Sequence, residues 1–207
     1  MDTEPFWQQV EREVFARHGI NISPEMQEKA TYGLQTREVV MHWYHYQPWD
    51  DFAPDELVDE INAKIKKKFK KDAVMMEGVE EILGLFRERG FRIGLASSSS
   101  LELIEVFLGR FNLLNRFDVY HTSENENFGK PHPAVYLTTA ARLEVRPTEC
   151  IAFEDSVNGL ISAKAARMKT VAIPDASHFN DPGFAIADLK LPSLQKFTVS
   201  HLEQLSE

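Results

Sequence analysis

The amino-acid sequence predicts an α/β protein in which a doubly wound parallel sheet follows an all-helical domain. Residues 4–76 repeat apolar side chains at helical spacing throughout. From Glu77 onward, four short apolar runs alternate with helical patterns, and near-continuous apolar strands are typical of a parallel sheet that helices cover on both faces. The change at Glu77 therefore divides the chain into a helical domain, residues 4–76, and an α/β domain, residues 77–207.

The helical domain is predicted to contain four helices. Ser23 carries the hydroxyl of an N-cap before the second helix, and Pro48 ends the third. Proline is favoured near the first position of a helix, which fits three of the four starts. In chain order these starts are Pro5, Pro24, Thr36 and Pro54.

The α/β domain opens with a helix that ends at Gly90, a residue suited to the left-handed conformation that often follows a helix. Four strands are predicted after it, at residues 91–96, 117–121, 150–153 and 170–173. Ligands of a doubly wound sheet bind at the carboxyl ends of its strands. The polar residues that directly follow these runs are therefore the candidates for a functional site.

Composition narrows the classes of partner. The formal net charge of −9 disfavours nucleic acid as a partner. A lysine-rich run at residues 64–71 would favour it, but we interpret this run as the solvated end of a helix. The sequence contains no run of 18 apolar residues, so no membrane partner is predicted, and no signal peptide is recognisable. Cys150 is the only cysteine, which excludes an intrachain disulfide and favours the reducing cytoplasm.

Four serines, residues 97–100, follow the first predicted strand and precede a helix. Small hydroxyl residues at this position are ordinary helix caps. Ser97 and Ser98 also suit a phosphate site, because hydroxyls and free backbone N–H groups meet there at the positive end of the helix dipole. From the residues alone both interpretations stay open, with the cap favoured.

Lys130 stands between Gly129 and Pro131, after the second predicted strand. A surface lysine is usually only solvated. Here the two prolines at 131 and 133 restrict the backbone and the direction of the side chain, and the lysine is expected at the same sheet edge as the serines. Lys130 is therefore predicted to be a phosphate ligand.

Glu154 and Asp155 follow the third predicted strand directly. Asp155 or Ser156 could cap the next helix, which is the alternative without a ligand. Two adjacent carboxylates at a buried strand end are costly unless a cation meets them, and Mg²⁺ binds through one or two carboxylates together with phosphate oxygens. Combined with Ser97 and Lys130, the pair predicts Mg²⁺-assisted phosphoryl chemistry.

In this order, the three motifs resemble the haloacid dehalogenase superfamily, in the subgroup with a helical cap inserted after the first strand. Ser97 resembles the residue whose hydroxyl binds the transferring phosphoryl group, Lys130 the lysine of the third motif, and Glu154-Asp155 the metal-binding motif. The resemblance implies a Rossmann-like core, a helical cap over residues 4–76, a Mg²⁺ cofactor, and hydrolysis through an aspartyl phosphate.

Residues 2–5, 31–34 and 43–49 are similar to the branch that dephosphorylates hexose and hexitol phosphates, including 2-deoxyglucose 6-phosphate. This similarity implies a phosphorylated sugar as the partner. It also implies a substrate loop in the cap, with Gly33, Gln35 and Arg37 facing the cleft and choosing the sugar. The oligomeric state is not predicted.

The sequence departs from the family pattern in one important respect. Relatives have a central apolar strand that ends in Asp-x-Asp before the Asp-Thr-Glu-Pro stretch, where the first aspartate is the nucleophile and the second the acid/base. The 207 residues contain no Asp-x-Asp, and Asp2 matches a later position, so residues 1–3 are interpreted as a hinge after the missing strand. We therefore expect a gap in the sheet and no catalysis by these residues alone. A chain shortened by a late start is favoured over an evolved pseudoenzyme as the explanation. A phosphosugar-binding pseudoenzyme and a β-phosphoglucomutase-like phosphomutase remain the alternatives.

Arg167 is a smaller departure, because many relatives have glycine at this helix end. A left-handed backbone at Arg167 is expected to cost about 1 kcal/mol.

Overall fold

The computed structural model describes residues 4–206. Within this range the chain forms nine α-helices and five β-strands, with short 3₁₀ turns between them. In chain order they are α1 Glu4–Ala16, α2 Pro24–Ala30, α3 Thr36–Tyr46, α4 Pro54–Asp72, α5 Val79–Glu88, β1 Gly94–Ser97, α6 Leu101–Arg110, β2 Val119–Thr122, α7 Ala134–Arg142, β3 Ile151–Glu154, α8 Val157–Ala165, β4 Lys169–Ala172, β5 Leu189–Lys190 and α9 Val199–Ser206.

The first four helices agree with the prediction, and residues 4–72 contain no strand. The Ser23 side chain caps α2 by accepting a hydrogen bond from the backbone N–H of Met26, at 3.2 Å. The helices α1, α3 and α4 each bury an apolar stripe, and that shared core continues onto α6, where the rings of Phe69 and Phe107 meet edge to face. The helical half is thereby held over one end of the α/β half. No helix of the described residues is long and apolar enough to cross a membrane.

All the strand pairs are parallel, as predicted, and strands alternate with helices. The four predicted strands are present with boundaries shifted by one to three residues, and the two-residue strand β5 was not predicted. The strands form two sheets, β1-β2 and β3-β4-β5, where the pattern of apolar runs predicted a single sheet. An apolar cavity of about 370 Å³ separates β1 from β3. This is where the resemblance led us to expect a gap.

Arg167, after α8, has a left-handed backbone, with φ of 67°. Its N–H bonds to the Lys164 carbonyl, so this conformation closes the end of the helix. A Cβ atom is strained in the left-handed region, whereas glycine is not.

Replacing Arg167 by glycine is therefore expected to raise the free energy of unfolding by about 1 kcal/mol, or the melting temperature by about 2–4 °C. Urea denaturation followed by circular dichroism measures this. Arg167→Ala is the matched control, because it removes the same exposed side chain but keeps the Cβ atom. Equal stabilisation by both variants would show that backbone strain is not the cause.

Candidate functional site

A cleft of about 270 Å³ lies between the helical half and the carboxyl ends of β1 and β3. It brings together most of the side chains that the sequence singled out. The predicted residues that line it are Gly33, Ser97, Ser98, Lys130, Glu154 and Asp155. The sheet topology explains this convergence, because parallel strands end at the same edge.

Lys130 lies deep in this cleft and is only 6% exposed. Its ammonium donates to Glu154 Oε1 at 2.5 Å and to the Ala96 carbonyl at 3.2 Å, so it bridges the ends of β3 and β1. It also lies 5.0 Å from the centre of the Tyr136 ring. A buried ammonium needs such a counter-charge, and Glu154 provides it.

Tyr136 is a residue of this site that sequence reasoning missed. Its hydroxyl donates to the same Glu154 oxygen that accepts from Lys130. Burial and the charge of Glu154 raise the pKa of Tyr136 well above its ordinary value. Gly159 completes the pocket around this carboxylate, because a Cβ atom there would overlap Glu154. The only sequence signal was the position of Tyr136 on the first turn of the helix after Lys130.

The serine cluster contains a helix cap and a hydroxyl that faces the cleft. Ser100 caps α6 by accepting from the Leu103 N–H. Ser97 lies in the cleft, where its Oγ accepts from the Ser99 N–H at 3.1 Å, which leaves its own O–H to donate to a ligand. The Ser98 hydroxyl instead donates to the Gly33 carbonyl at 3.1 Å.

The loop that carries Gly33 docks on the strand-end loops of the α/β half. Gly33 has φ of 77°, and a Cβ atom there would lie 3.2 Å from Ser156 Oγ, so the approach and the left-handed backbone both favour glycine. The Asn158 side chain donates to the Tyr32 carbonyl at 2.9 Å. This loop is thus a wall of the cleft.

Gln35 and Arg37 do not line this cleft, contrary to the expectation that they share it with Gly33. The Gln35 amide donates to the Ser123 carbonyl at 2.6 Å, and the exposed Arg37 pairs with Asp55. Both residues line a separate surface cavity. The helix α3 begins at Thr36, and its first turn directs them away from the cleft wall.

Carboxylates of α1 also enter the cleft and were missed by sequence reasoning. Glu4, Trp7 and Glu11 occupy one face of the helix and line the cleft together. Burial raises the pKa of Glu4 to about 8, helped by the charges of Glu11 and Asp155. Acidic residues on the otherwise apolar face of an amphipathic helix were the signal that could have identified them.

Burial raises the pKa of Asp155 as well, and the neighbouring charge of Glu154 adds to the shift. Ser156, rather than Asp155, caps α8 by accepting from the Gly159 N–H at 3.0 Å. The Asp155 carboxylate is therefore not used as a helix cap. It lines both the cleft and the neighbouring cavity beside Glu4.

Within residues 4–206, no group of three or more His, Cys, Asp or Glu side chains is arranged to hold a metal ion. Glu154, predicted as a Mg²⁺ ligand, accepts hydrogen bonds from Lys130 and Tyr136, both at Oε1. Asp155 has the right chemistry, but Mg²⁺ requires near-octahedral oxygen coordination. Asp155 therefore remains a predicted ligand, and Mg²⁺ would need further oxygen ligands beside it.

Glu11 gives this region a predicted pH dependence. Burial raises its pKa from 4.5 to about 7, although its carboxylate accepts from the Gln27 amide at 2.8 Å. Since the folded chain holds this proton more tightly than the unfolded chain, the contribution of Glu11 to stability is fully present below pH 4.5 and is lost as the pH rises through about 7.

Glu11→Gln keeps the acceptor and removes the charge, so we expect it to raise the free energy of unfolding at pH 8 by about 3 kcal/mol and to have little effect at pH 4.5. Urea denaturation across this pH range tests it. The matched control is Glu13→Gln on the exposed face of the same helix. A gain that is independent of pH would contradict the assignment.

Comparison with known proteins identifies the family of this chain. Residues 1–173 match the family model "Haloacid dehalogenase-like hydrolase". Hexitol phosphatase B of Escherichia coli is 40% identical over 202 residues, an alignment that covers 98% of this chain and 91% of the relative.

Solved structures of the same fold include β-phosphoglucomutase from Clostridium difficile, with a TM-score of 0.86 and 21% identity over 99% of this chain and 91% of that one. CbbY from Rhodobacter sphaeroides in complex with phosphate has a TM-score of 0.87 and 22% identity, covering 98% of this chain and 93% of that one. The family match and the hexitol phosphatase relative each extend over both halves of the chain. The protein belongs to the haloacid dehalogenase-like hydrolases.

Proposed function

We propose that these residues form the cap and most of the core of a Mg²⁺-dependent phosphatase for hexitol and hexose phosphates. Catalysis would also require an upstream strand that ends in Asp-x-Asp. The observation that carries the proposal is the convergence of Ser97, Lys130 and Asp155 in one cleft beneath the helical half. The hexitol substrate class comes from the relative that is 40% identical.

Two side chains have donors available for a phosphoryl group. The Lys130 ammonium has three N–H donors, of which Glu154 and the Ala96 carbonyl take two. The third can bind a phosphoryl oxygen. Ser97 has its O–H left to donate, so the two residues can hold two oxygens of one phosphate. We assign both to the catalytic machinery as phosphate ligands that stabilise charge in the transition state.

Asp155 is the metal ligand that we assign in this chain. Mg²⁺, when bound, would neutralise charge on the transferring phosphoryl group. The strand upstream would provide the remaining carboxylate ligands, together with the nucleophile and the acid/base. We propose that Gly33 contacts the substrate, because its loop closes the cleft over the sugar. We assign no substrate contact to Gln35 or Arg37.

The test uses the chain extended upstream by an apolar strand ending in Asp-x-Asp, with Mg²⁺ and a panel of hexitol and hexose phosphates. We expect phosphate release, with the highest kcat/KM among the hexitol phosphates. Ser97→Ala should lower kcat/KM by about 10²-fold, as expected for removing one donor to the transition state. Ser206→Ala, which removes a hydroxyl on α9 far along the chain, is the control.

Two results would contradict the proposal. Isomerisation of a sugar phosphate without net phosphate release would indicate a phosphomutase. Binding without turnover in the extended chain would indicate a phosphosugar-binding protein, the second candidate, which would use the same Ser97 and Lys130 donors.

A further inference from the structure

His178 joins the two halves of the chain beyond the carboxyl end of β4. It lies on the 3₁₀ turn Ala176–His178 of the α/β half, whereas its partners Glu28 and Tyr32 belong to the helical half. The His178 Nε2 lies 2.9 Å from Glu28 Oε1, and the centre of its ring lies 5.5 Å from that of the Tyr32 ring. Tyr32 directly precedes Gly33, so this contact adjoins the loop that forms a wall of the cleft.

The turn that carries His178 is held in place within the α/β half. Asp175 begins the turn and accepts at Oδ1 from the backbone N–H of Ser177, at 2.8 Å. After the turn, the Lys190 ammonium donates to the Phe179 carbonyl at 2.8 Å and lies 4.7 Å from the centre of the Phe179 ring. The imidazole is therefore presented to the helical half from a segment with fixed ends.

The hydrogen bonds of the imidazole select its doubly protonated form. The Glu28 carboxylate can only accept, so Nε2 of His178 must carry a proton. Nδ1 lies 3.0 Å from Ser177 Oγ, whose own proton has a second acceptor in Asp175 Oδ1, at 2.7 Å. The carboxylate is the nearer and the charged acceptor, and charge-assisted hydrogen bonds are the stronger. The Ser177 proton therefore goes to Asp175, and Ser177 Oγ accepts from an Nδ1 that is protonated too.

The groups that face His178 are mainly acidic. Glu28 faces it from α2, and Asp175 lies on its own turn. The cation Lys190 contacts the same segment at Phe179. A cavity of about 540 Å³ beside the imidazole is lined by no lysine or arginine of residues 4–206, and by three further carboxyl groups, those of Glu4, Glu77 and Asp155. These surroundings suit an imidazolium.

We propose that protonated His178 is a positioning residue, which holds the helical half closed over the cleft through Glu28 and releases it on losing its proton. Histidine changes its charge near neutral pH. The hydrogen bonds from Ser98 and Asn158 to this loop involve no titrating group, so they do not provide such a switch. Access to the cleft therefore increases as the pH rises through neutrality. The inference concerns opening of the cleft and does not depend on the proposed phosphatase activity.

The test measures how often the cleft opens, from the rate at which a thiol inside it reacts with 4,4′-dithiodipyridine. Thr31→Cys provides the thiol, since Thr31 lines the cleft and is buried, and Cys150→Ser removes the native one. His178→Gln is compared with this parent, because glutamine can still donate to Glu28 but carries no charge. His201→Gln on α9 is the matched control.

Variants are compared with one another at the same pH, because other groups of the cleft titrate in this range. Burial raises the pKa of Glu4 to about 8 and that of Glu11 to about 7. At pH 5.5 we expect His178→Gln to react about threefold faster than the parent, the effect of an ion pair whose side chains are 21% and 49% exposed. At pH 8.5 the two should react equally fast, since a neutral imidazole and an amide offer Glu28 the same kind of hydrogen bond.

Glu28→Gln should react about threefold faster at pH 5.5 only, and the double variant should react no faster than either single variant. A second thiol, Ala163→Cys, is fully buried on α8 and does not line the cleft, so it reports global unfolding. It should react far more slowly than the thiol at position 31.

Four outcomes would overturn the proposal. Equal rates of the parent and His178→Gln at pH 5.5 would mean that the ion pair does not hold the cleft closed. A rise of the same size at both pH values, or in His201→Gln, would assign the effect to packing and not to the charge. Additive rises in the double variant would mean that His178 and Glu28 act separately. Equal rates of the thiols at positions 31 and 163 would mean that global unfolding, and not opening of the cleft, was measured.

Discussion

A polypeptide of these 207 residues is expected to release phosphate from hexitol phosphates at less than about 10⁻⁵ of the rate of the chain extended through Asp-x-Asp. The reaction needs a carboxylate in line with phosphorus and a partner that protonates the leaving oxygen. Neither Ser97 nor Lys130 can replace them. The Ser97 Oγ receives a backbone N–H, and among the hydrogen bonds of the described residues no His or Lys side chain accepts its proton.

Lys130 is equally unsuited to be the nucleophile, because its ammonium is held by Glu154 in an ion pair. Losing a nucleophile and an acid together removes residues that act as a unit, which is why the expected loss is so large. The measurement is phosphate release by the purified chain with Mg²⁺, with the extended chain as positive control. Turnover of about 1 s⁻¹ that disappeared in Asp155→Asn would show that another residue of this chain is the nucleophile.

Lys130→Met is expected to lower the free energy of unfolding by about 3–5 kcal/mol. The substitution preserves the length and apolar stem of the side chain but leaves the Glu154 carboxylate buried, with only Tyr136 and Ser156 as partners. An uncompensated buried charge is what makes the cost large. Lys164→Met is the matched control, because Lys164 pairs with Asp188 at the surface and should cost less than about 1 kcal/mol.

The double variant Lys130→Met/Glu154→Gln separates the lost charge pair from lost packing. Removing both charges should recover a large part of the stability, since no charge then remains buried without its counter-charge. Urea denaturation of the four proteins completes the cycle. A double variant that is as unstable as the sum of the single variants would mean that Lys130 contributes through packing and not through the ion pair.

The helical half was predictable from local chemistry. Pro24 and Pro54 mark helix starts, and Ser23 caps α2, because first-turn preferences act within a few residues. The end of α6 was less predictable, since the apolar pattern runs to residue 114 while the helix ends at Arg110. There, Asn112 takes a left-handed backbone and a 3₁₀ turn follows.

The candidate site was predictable wherever a strand end alone places a side chain. Ser97 and Glu154 end β1 and β3, Lys130 follows β2, and parallel strands bring such positions together. Which atoms meet was not predictable: only the three-dimensional packing shows that the Lys130 ammonium pairs with the Glu154 carboxylate. Glu4 lies on a helix far from any strand end, so no strand-end pattern indicated it.

The hydrogen bonds between the Gly33 loop and the α/β half also determine the population of molecules in which the cleft is open. Any widening of the cleft must break the hydrogen bonds from Ser98 to Gly33, from Asn158 to Tyr32 and from Gln35 to Ser123. At about 1 kcal/mol each, they would leave the open form populated in about one molecule in 150. Under the proposed function, the apparent affinity for a sugar phosphate that binds only the open form would fall by the same fraction.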